Sequence, residues 1–276
     1  MLIKVSHECS FSFEPPIRSL IQVLRLSPRN SEGQHVLSWR IDVDRDSHLA
    51  SSEDAFGNLT NTFSIQESIS SLTLHIDGEV RTFDTAGVVR GSLERFPPEL
   101  YLRDTTLTTP DDVLRGFTLE ATKDVKAPLE QLHLLMRAIH ARMNVEKQPA
   151  DDDSLTSVQA LSSGKGTCRD IAQLFNTCSR VLEIPSRYVS GYLYSEDGDA
   201  QTMEHAWAES YVEGLGWVAF DPVLKVCPSE CHIRVAVGLD YLGAAPIRSA
   251  RSLGAGAGYS SKIRIIDAQA RSQSQS

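Results

Sequence analysis

Apolar and polar residues alternate along the first third of the chain in the pattern of β-strands. Residues 36–43 and 70–76 place apolar side chains at every second position, which is the period of strands with one buried face. Turn-forming residues separate such runs, as in DAFGN at residues 54–58. The pattern predicts an antiparallel β-sandwich over residues 1–97.

The pattern changes after a segment that is rich in proline. FPPEL at residues 96–100 and TTPDD at residues 108–112 combine prolines with acidic residues that can cap helices, as linkers often do. We therefore expect a second domain over residues 98–268. A polar tail of low complexity follows at residues 269–276, and its composition predicts disorder.

Helical periodicity marks two segments of the second domain. Apolar residues recur at helical spacing over residues 128–143, where Pro128 occupies the first turn, and again over residues 168–182. Three strand-like runs follow, at residues 186–194, 204–213 and 217–222. The chain as a whole is predicted to have an α+β fold, with a β-sandwich followed by an α+β core.

Composition limits the classes of function. The 276 residues carry a net charge of −9 without a clustered basic face, which argues against nucleic acid and anionic membranes as partners. The first residues lack the apolar core of a signal peptide, so we expect a cytoplasmic protein. An odd number of cysteines, five, argues against a disulfide framework and leaves at least one thiol free.

Cys168 has the best local setting for chemistry among these thiols. It follows the glycine-rich GKGT at residues 164–167, and Thr167 and Asp170 have the spacing of a capping box, so the second helix begins at Cys168. A helix N-terminus favours the thiolate, which is the nucleophilic form of cysteine. Cys178 lies within the apolar stripe of the same helix, where a thiol is inert.

His205 and Asp221 can complete a triad with Cys168. They lie at the start of one predicted strand and at the end of the next, which brings them to the same edge of an antiparallel hairpin. A cysteine that attacks an amide needs a base, and it needs a carboxylate that orients the base. The backbone N–H of Cys168 can donate to the oxyanion.

Four runs in this order resemble the bacterial transglutaminase-like superfamily. They are GTCRD at 166–170, IPSRYVSGY at 184–192, HAW at 205–207 and GWVAFDP at 216–222. In the first domain, LRLSPR at 24–29 and DAFGN at 54–58 are similar to the N-terminal β region of such proteins. The resemblance implies a papain-like core with a triad of Cys168, His205 and Asp221, and neither a metal nor an organic cofactor.

The sequence departs from the family pattern at four positions. Val223 and Leu224 replace polar residues, Gln173 stands where a histidine is frequent, and Leu239 stands where an arginine is frequent. None of these positions belongs to the predicted triad. We expect them near the cleft, where they leave the substrate pocket undefined.

Other histidines and cysteines offer competing interpretations. Cys227, Cys231 and His232 form a cluster of zinc-binding residue types, although a structural zinc site takes four ligands and a second cysteine pair is absent from the sequence. His133 and His140 lie beside the apolar stripe of the first helix, where packing is the expected role.

The predicted function is that of a cysteine-dependent amide-bond enzyme acting on a peptide or protein. Hydrolysis of a peptide or isopeptide bond is favoured, because that is the commoner expectation in the bacterial branch of the family. Acyl transfer from glutamine to an amine is the alternative within the enzyme class, and a non-catalytic scaffold is the alternative outside it. The substrate and the oligomeric state stay open.

Overall fold

A computed structural model describes residues 1–146, 155–195, 204–251 and 256–268, so the predicted disordered tail lies outside the described residues. The first part of the chain forms seven strands: β1 (Leu2–Ile17), β2 (Leu20–Ser27), β3 (Gln34–Val43), β4 (Ala50–Glu53), β5 (Leu59–Ile65), β6 (Ile69–Thr82) and β7 (Val88–Val89). Within the described residues no helix combines the length and the apolar character needed to cross a membrane.

Helices and strands mix in the rest of the chain. A 3₁₀ helix at Pro98–Leu102 precedes α1 (Asp112–Thr122), α2 (Pro128–Arg142), β8 (Asn144–Val145), α3 (Ser157–Ser163), β9 (Lys165–Gly166), α4 (Cys168–Val181), β10 (Ser186–Leu193), β11 (Glu204–Val212), β12 (Gly216–Phe220), β13 (His232–Gly238), α5 (Tyr241–Ala244), β14 (Ile247–Arg251) and β15 (Gly256–Asp267).

Two four-stranded antiparallel sheets contain most of the N-terminal strands. Their strand orders are β15-β1-β6-β3 and β14-β2-β5-β4. Alternate residues of both sheets meet in one hydrophobic cluster that includes Phe13, Leu20, Leu24, Phe63, Ile65, Leu72 and Leu74. The chain is therefore rich in sheet, as expected, and the sandwich itself stays a prediction about how these two sheets face each other.

The last two strands return to the N-terminal sheets. β15 pairs with β1 from Ile3 opposite Asp267 to Glu14 opposite Gly256, and β14 pairs with β2. Ile263 and Ile265 of β15 are buried against Ile3 and other residues of the first sheet. The sequence pattern did not show this pairing, because periodicity identifies a strand but not the strand with which it pairs. The domain boundaries stay a prediction.

A five-stranded antiparallel sheet, which we call the central sheet, has the order β13-β10-β11-β12-β7. The predicted stripe of α4 packs on it, with Ile171, Leu174 and Phe175 fully buried beside Phe220. Helices α1 and α3 were not predicted. Threonines weaken the helical signal of α1, where Thr118 and Thr122 donate to carbonyls one turn back.

Side chains of the N-terminal sheets bind the central sheet at its edge strand. Asn58 of the DAFGN run accepts from Val237 N–H at 2.8 Å and donates to its carbonyl at 2.7 Å, so it pairs with β13 as another strand would. Gln34 does the same at Arg234, with both bonds at 2.8 Å. These amides protect the edge of β13, which would otherwise leave backbone groups unpaired.

A buried carboxylate with two arginines ties β10, β11 and β13 together. Glu209 has no exposed surface; it accepts from Arg187 Nε at 2.7 Å and from Arg234 Nε at 2.7 Å. Glu94 binds the remaining nitrogens of Arg187 at 2.5 and 2.9 Å. Burial alone would raise the pKa of Glu209, but the charges of Arg234 and Arg187 lower it to about 2.

Glu209→Gln should destabilise the protein by about 3 to 5 kcal/mol, because it leaves the partly buried Arg234 without its anion and the buried Arg187 with Glu94 alone. The free energy of unfolding in urea at neutral pH measures this. In the wild-type protein the contribution is complete above the unfolded pKa of roughly 4.3 and is lost as the pH falls toward 2. The exposed Glu120→Gln, which removes a surface pair with Lys123, should leave stability unchanged. Equal stability of the two variants would contradict the prediction.

Candidate active site

The glycine-rich turn and the capping residues place Cys168 as the first residue of α4. The predicted capping box is present: Asp170 N–H donates to Thr167 Oγ1 at 3.4 Å, and Thr167 N–H donates to Asp170 Oδ2 at 2.9 Å. The thiol is partly exposed and donates to the backbone carbonyl of Glu204 at 3.4 Å. Cys168 thus combines access to solvent with the positive end of a helix.

His205 and Asp221 meet at one edge of the central sheet, as the hairpin argument predicts. His205 is the second residue of β11, and Asp221 directly follows β12. His205 Nε2 lies 2.6 Å from Asp221 Oδ2, and interaction with the Cys168 thiol contributes to the raised pKa of the same imidazole. The structure therefore brings the three predicted residues into one connected group.

Burial and charge act in opposite directions on the titration of this pair. Burial would lower the pKa of His205, but the charge and the hydrogen bond of Asp221 raise it well above its usual value. Burial would raise the pKa of Asp221, but the charge of His205 keeps it well below its usual range. The arrangement favours an imidazolium held by a carboxylate, next to a thiol.

Backbone donors fix the other oxygen of Asp221. Val223 and Leu224 donate their N–H groups to Oδ1 at 2.9 and 3.1 Å. His140 of α2 contacts the carbonyl of Val223 from the other side, at 3.1 Å from Nδ1. The departures from the family pattern at residues 223 and 224 therefore leave intact the backbone contacts that orient Asp221.

Of the other two departures from the family pattern, Gln173 lies on α4 and Leu239 lies shortly before α5. Gln173 is fully buried, donates to the carbonyl of Leu155 at 2.9 Å and accepts from Tyr241 N–H at 3.2 Å. Leu239 offers its backbone carbonyl to Arg180. The Gln173 amide therefore links α4 to the segments on either side of it, a role that an amide fills with one donor and one acceptor.

His232 is a residue of the site that the sequence analysis assigned elsewhere. Its Nε2 lies 3.3 Å from Asp221 Oδ2, and its Nδ1 accepts from Ser229 N–H at 3.3 Å. Both ring nitrogens of His232 therefore contact groups other than Cys227 and Cys231, the two cysteines of the candidate zinc cluster. Only the pairing of β13 with β10, which no local pattern encodes, brings His232 to this edge.

His205, Asp221 and His232 offer three ligand atoms that lie within 4.8 Å of one another, the arrangement that could hold a metal among the described residues. The 2.6 Å contact between His205 and Asp221 is a hydrogen-bond distance. Two ligands of one tetrahedral ion, each about 2 Å from it, stand farther apart, at roughly 3.3 Å. The geometry therefore describes a hydrogen-bonded group.

Gly191 makes room for the indole that packs against both histidines. Trp207 is buried, with its ring 6.2 Å from that of His205 and 5.3 Å from that of His232. A Cβ at Gly191 would lie 2.6 Å from this indole and would overlap the carbonyl oxygen of Ile233. Trp207 therefore packs against both histidines of the site.

This fold, with a helix-capped cysteine facing a histidine and an aspartate on a sheet, defines a transglutaminase-like core. Residues 115–222 match the model of the transglutaminase-like superfamily, and residues 3–81 match that of the bacterial transglutaminase-like N-terminal region. The chain accordingly contains a transglutaminase-like core and a bacterial transglutaminase-like N-terminal region, and the resemblance noted in the sequence is confirmed.

Similar proteins cover nearly the whole chain. An uncharacterized protein of Mycobacterium leprae is 27% identical over 261 residues, which span 89% of this chain and 91% of its own. An uncharacterized protein of Mycobacterium tuberculosis is 23% identical over 280 residues, spanning 89% and 86%. The structure of a proposed cysteine protease from Cytophaga hutchinsonii superposes with a TM-score of 0.78, at 18% identity, over 97% of this chain and 91% of that one. This last likeness establishes a shared fold.

Gly191→Ala should destabilise the protein by about 1 to 3 kcal/mol, because the added methyl group forces the β10–β13 pairing or Trp207 to move. Urea unfolding measures the change. Gly116→Ala is the matched control: nothing lies within 4 Å of its Cβ, and alanine in a helix gains up to about 1 kcal/mol over glycine. A Gly191→Ala variant as stable as the wild-type protein would rule out this close packing.

Proposed function

We propose that this protein is a cysteine-dependent hydrolase of peptide or isopeptide bonds, with Cys168 as nucleophile, His205 as base and acid, and Asp221 as the residue that orients His205. The observation that carries the proposal is the 2.6 Å contact between His205 and the fully buried Asp221, with a pKa of His205 that Asp221 and the Cys168 thiol both raise. The match to the transglutaminase-like superfamily and the fold shared with the Cytophaga protein support it.

The proposed reaction proceeds in two steps. The proton of the Cys168 thiol passes to neutral His205, which gives the imidazolium and thiolate pair that the raised pKa of His205 favours. The thiolate then attacks the amide carbonyl to form a tetrahedral oxyanion. The backbone N–H of Cys168 is available to this oxyanion, since the first N–H groups of a helix lack intrahelical carbonyl partners. The C–N bond then breaks, and the imidazolium gives its proton to the leaving amine.

A thioester on Cys168 remains after the first step. His205, now neutral, takes a proton from water as the water attacks the thioester carbonyl, and returns a proton to the departing sulfur. The products are a carboxylic acid, an amine and the original thiol. Asp221 stabilises the imidazolium in both steps and stays ionised, because its pKa lies well below the usual range.

Iodoacetamide should alkylate Cys168 much faster than the other four cysteines at neutral and mildly acidic pH, as measured by mass spectrometry of peptides. The raised pKa of His205 keeps an imidazolium beside the thiol over this range. The matched controls are Cys227, which is also partly exposed but whose pKa is raised by burial, and Cys178, whose pKa burial raises to about 12.

The variants His205→Ala and Asp221→Asn should slow this alkylation by at least tenfold, a change of about 1.4 kcal/mol in the barrier, and Cys168→Ala should abolish hydrolysis of a fluorogenic peptide library. All three variants must first give the wild-type circular dichroism spectrum. Equal and slow labelling of all five thiols would exclude Cys168 as a nucleophile and favour the scaffold alternative.

Incubation of a glutamine-containing peptide with and without a primary amine separates hydrolysis from acyl transfer. We expect release of ammonia and formation of glutamate, or cleavage of the peptide, at the same rate in both reactions, because water is the acceptor of the acyl group. Mass spectrometry identifies the products, and the Cys168→Ala variant is the blank. Incorporation of the amine without hydrolysis would show that the protein is an acyltransferase.

A further inference from the structure

A second imidazole shares the carboxylate that orients His205. His232 is buried, with 8% of its surface exposed, and its Nε2 lies 3.3 Å from Asp221 Oδ2, the oxygen that also binds His205. The triad does not use this residue. Its position at the first residue of β13, across the sheet from the hairpin that carries His205 and Asp221, comes from the tertiary fold.

The backbone determines which ring nitrogen of His232 carries hydrogen. Ser229 N–H points at His232 Nδ1 at 3.3 Å, and a backbone amide can only donate. Nδ1 must therefore be the bare acceptor nitrogen, which leaves the hydrogen on Nε2. A second hydrogen bond joins the same two residues: His232 N–H donates to the carbonyl of Ser229 at 3.0 Å.

We propose that His232 is a positioning residue of this site: a neutral imidazole whose Nε2–H donates to Asp221 and holds that carboxylate ionised and aimed at His205. The inference rests on the function proposed above, since Asp221 acts through His205. Asp221 then accepts four hydrogen bonds, two on Oδ1 from Val223 and Leu224 and two on Oδ2 from the histidines.

Four donors suit an ionised carboxylate and not a protonated one. A protonated carboxyl group would have to direct its own hydrogen at a donor, so each of these bonds favours the anion. Burial opposes the anion, and among the groups that lower the pKa of Asp221, His232 follows His205. The titratable groups that act on Asp221 are His205 on β11 and His232 on β13, and Cys168 on α4 acts on His205.

The tautomer of His232 can be tested without a substrate. Long-range ¹H–¹⁵N correlation spectra of the whole protein, labelled with ¹⁵N-histidine, distinguish the neutral tautomers from each other and from imidazolium. The variant His232→Gln identifies the signals of His232 by their loss. We expect the Nε2–H tautomer at neutral pH. A hydrogen on Nδ1, alone or in the doubly protonated form, would overturn the inference.

The positioning role can be tested by the pH dependence of alkylation at Cys168. His232→Leu removes a donor that aims Asp221 at His205, so the imidazolium of His205 is held less firmly and supports the thiolate less. The acid limb of the rate profile should therefore move upward by about one pH unit, the shift that one hydrogen bond to a charged group supports. His232→Gln keeps an N–H near the position of Nε2 and should restore the wild-type limb.

A purely structural role gives a different result. If the acid limb is the same in the leucine variant as in the wild-type protein, or moves equally in both variants, His232 does not act through Asp221 and the inference is wrong. If His232→Leu does not fold, the rate profile of His232→Gln and the tautomer spectra still test the inference. If Cys168 of the wild-type protein alkylates no faster than Cys227, the proposed function fails instead, while the tautomer test keeps its meaning.

Discussion

The site depends on one buried anion. Asp221 has no exposed surface, and a lone carboxylate in that position would cost far more than a protein can tolerate, so it would take up a proton. Its hydrogen-bond donors come from the loop after β12, from β11 and from β13. The charged partner of His205, and with it the base for Cys168, therefore depends on an intact central sheet.

A second buried anion stabilises the sheet itself. Glu209 lies four residues after His205 on β11 and binds Arg187 of β10 and Arg234 of β13. A charge network inside a sheet stabilises less than an apolar core of the same volume would, but it penalises any other register, since a shift leaves a charge unpaired. The network thus joins the strands that carry His205 and His232 through β10.

The N-terminal sheets take part in the same assembly. Asn58 and Gln34 pair with the backbone of β13, and His7 of β1 contacts the hydroxyl of Tyr192 of β10 at 3.1 Å. β15, which follows the strands of the central sheet in sequence, pairs with β1 at the start of the chain. The strands that follow residue 222 therefore connect the two regions that the family models match.

The sequence alone predicted the local features of the site, but it did not predict which distant strands pair. The capping box, the apolar stripe and the glycine-rich turn predict that α4 begins at Cys168, because helix starts depend on residues within one turn. The adjacent strands of a hairpin likewise place His205 beside Asp221. Only the tertiary structure decided that β15 returns to β1 and that His232 faces Asp221 instead of two cysteines. Those contacts join segments far apart in the chain, and their register depends on how whole sheets bury their apolar faces, which no short run of residues encodes.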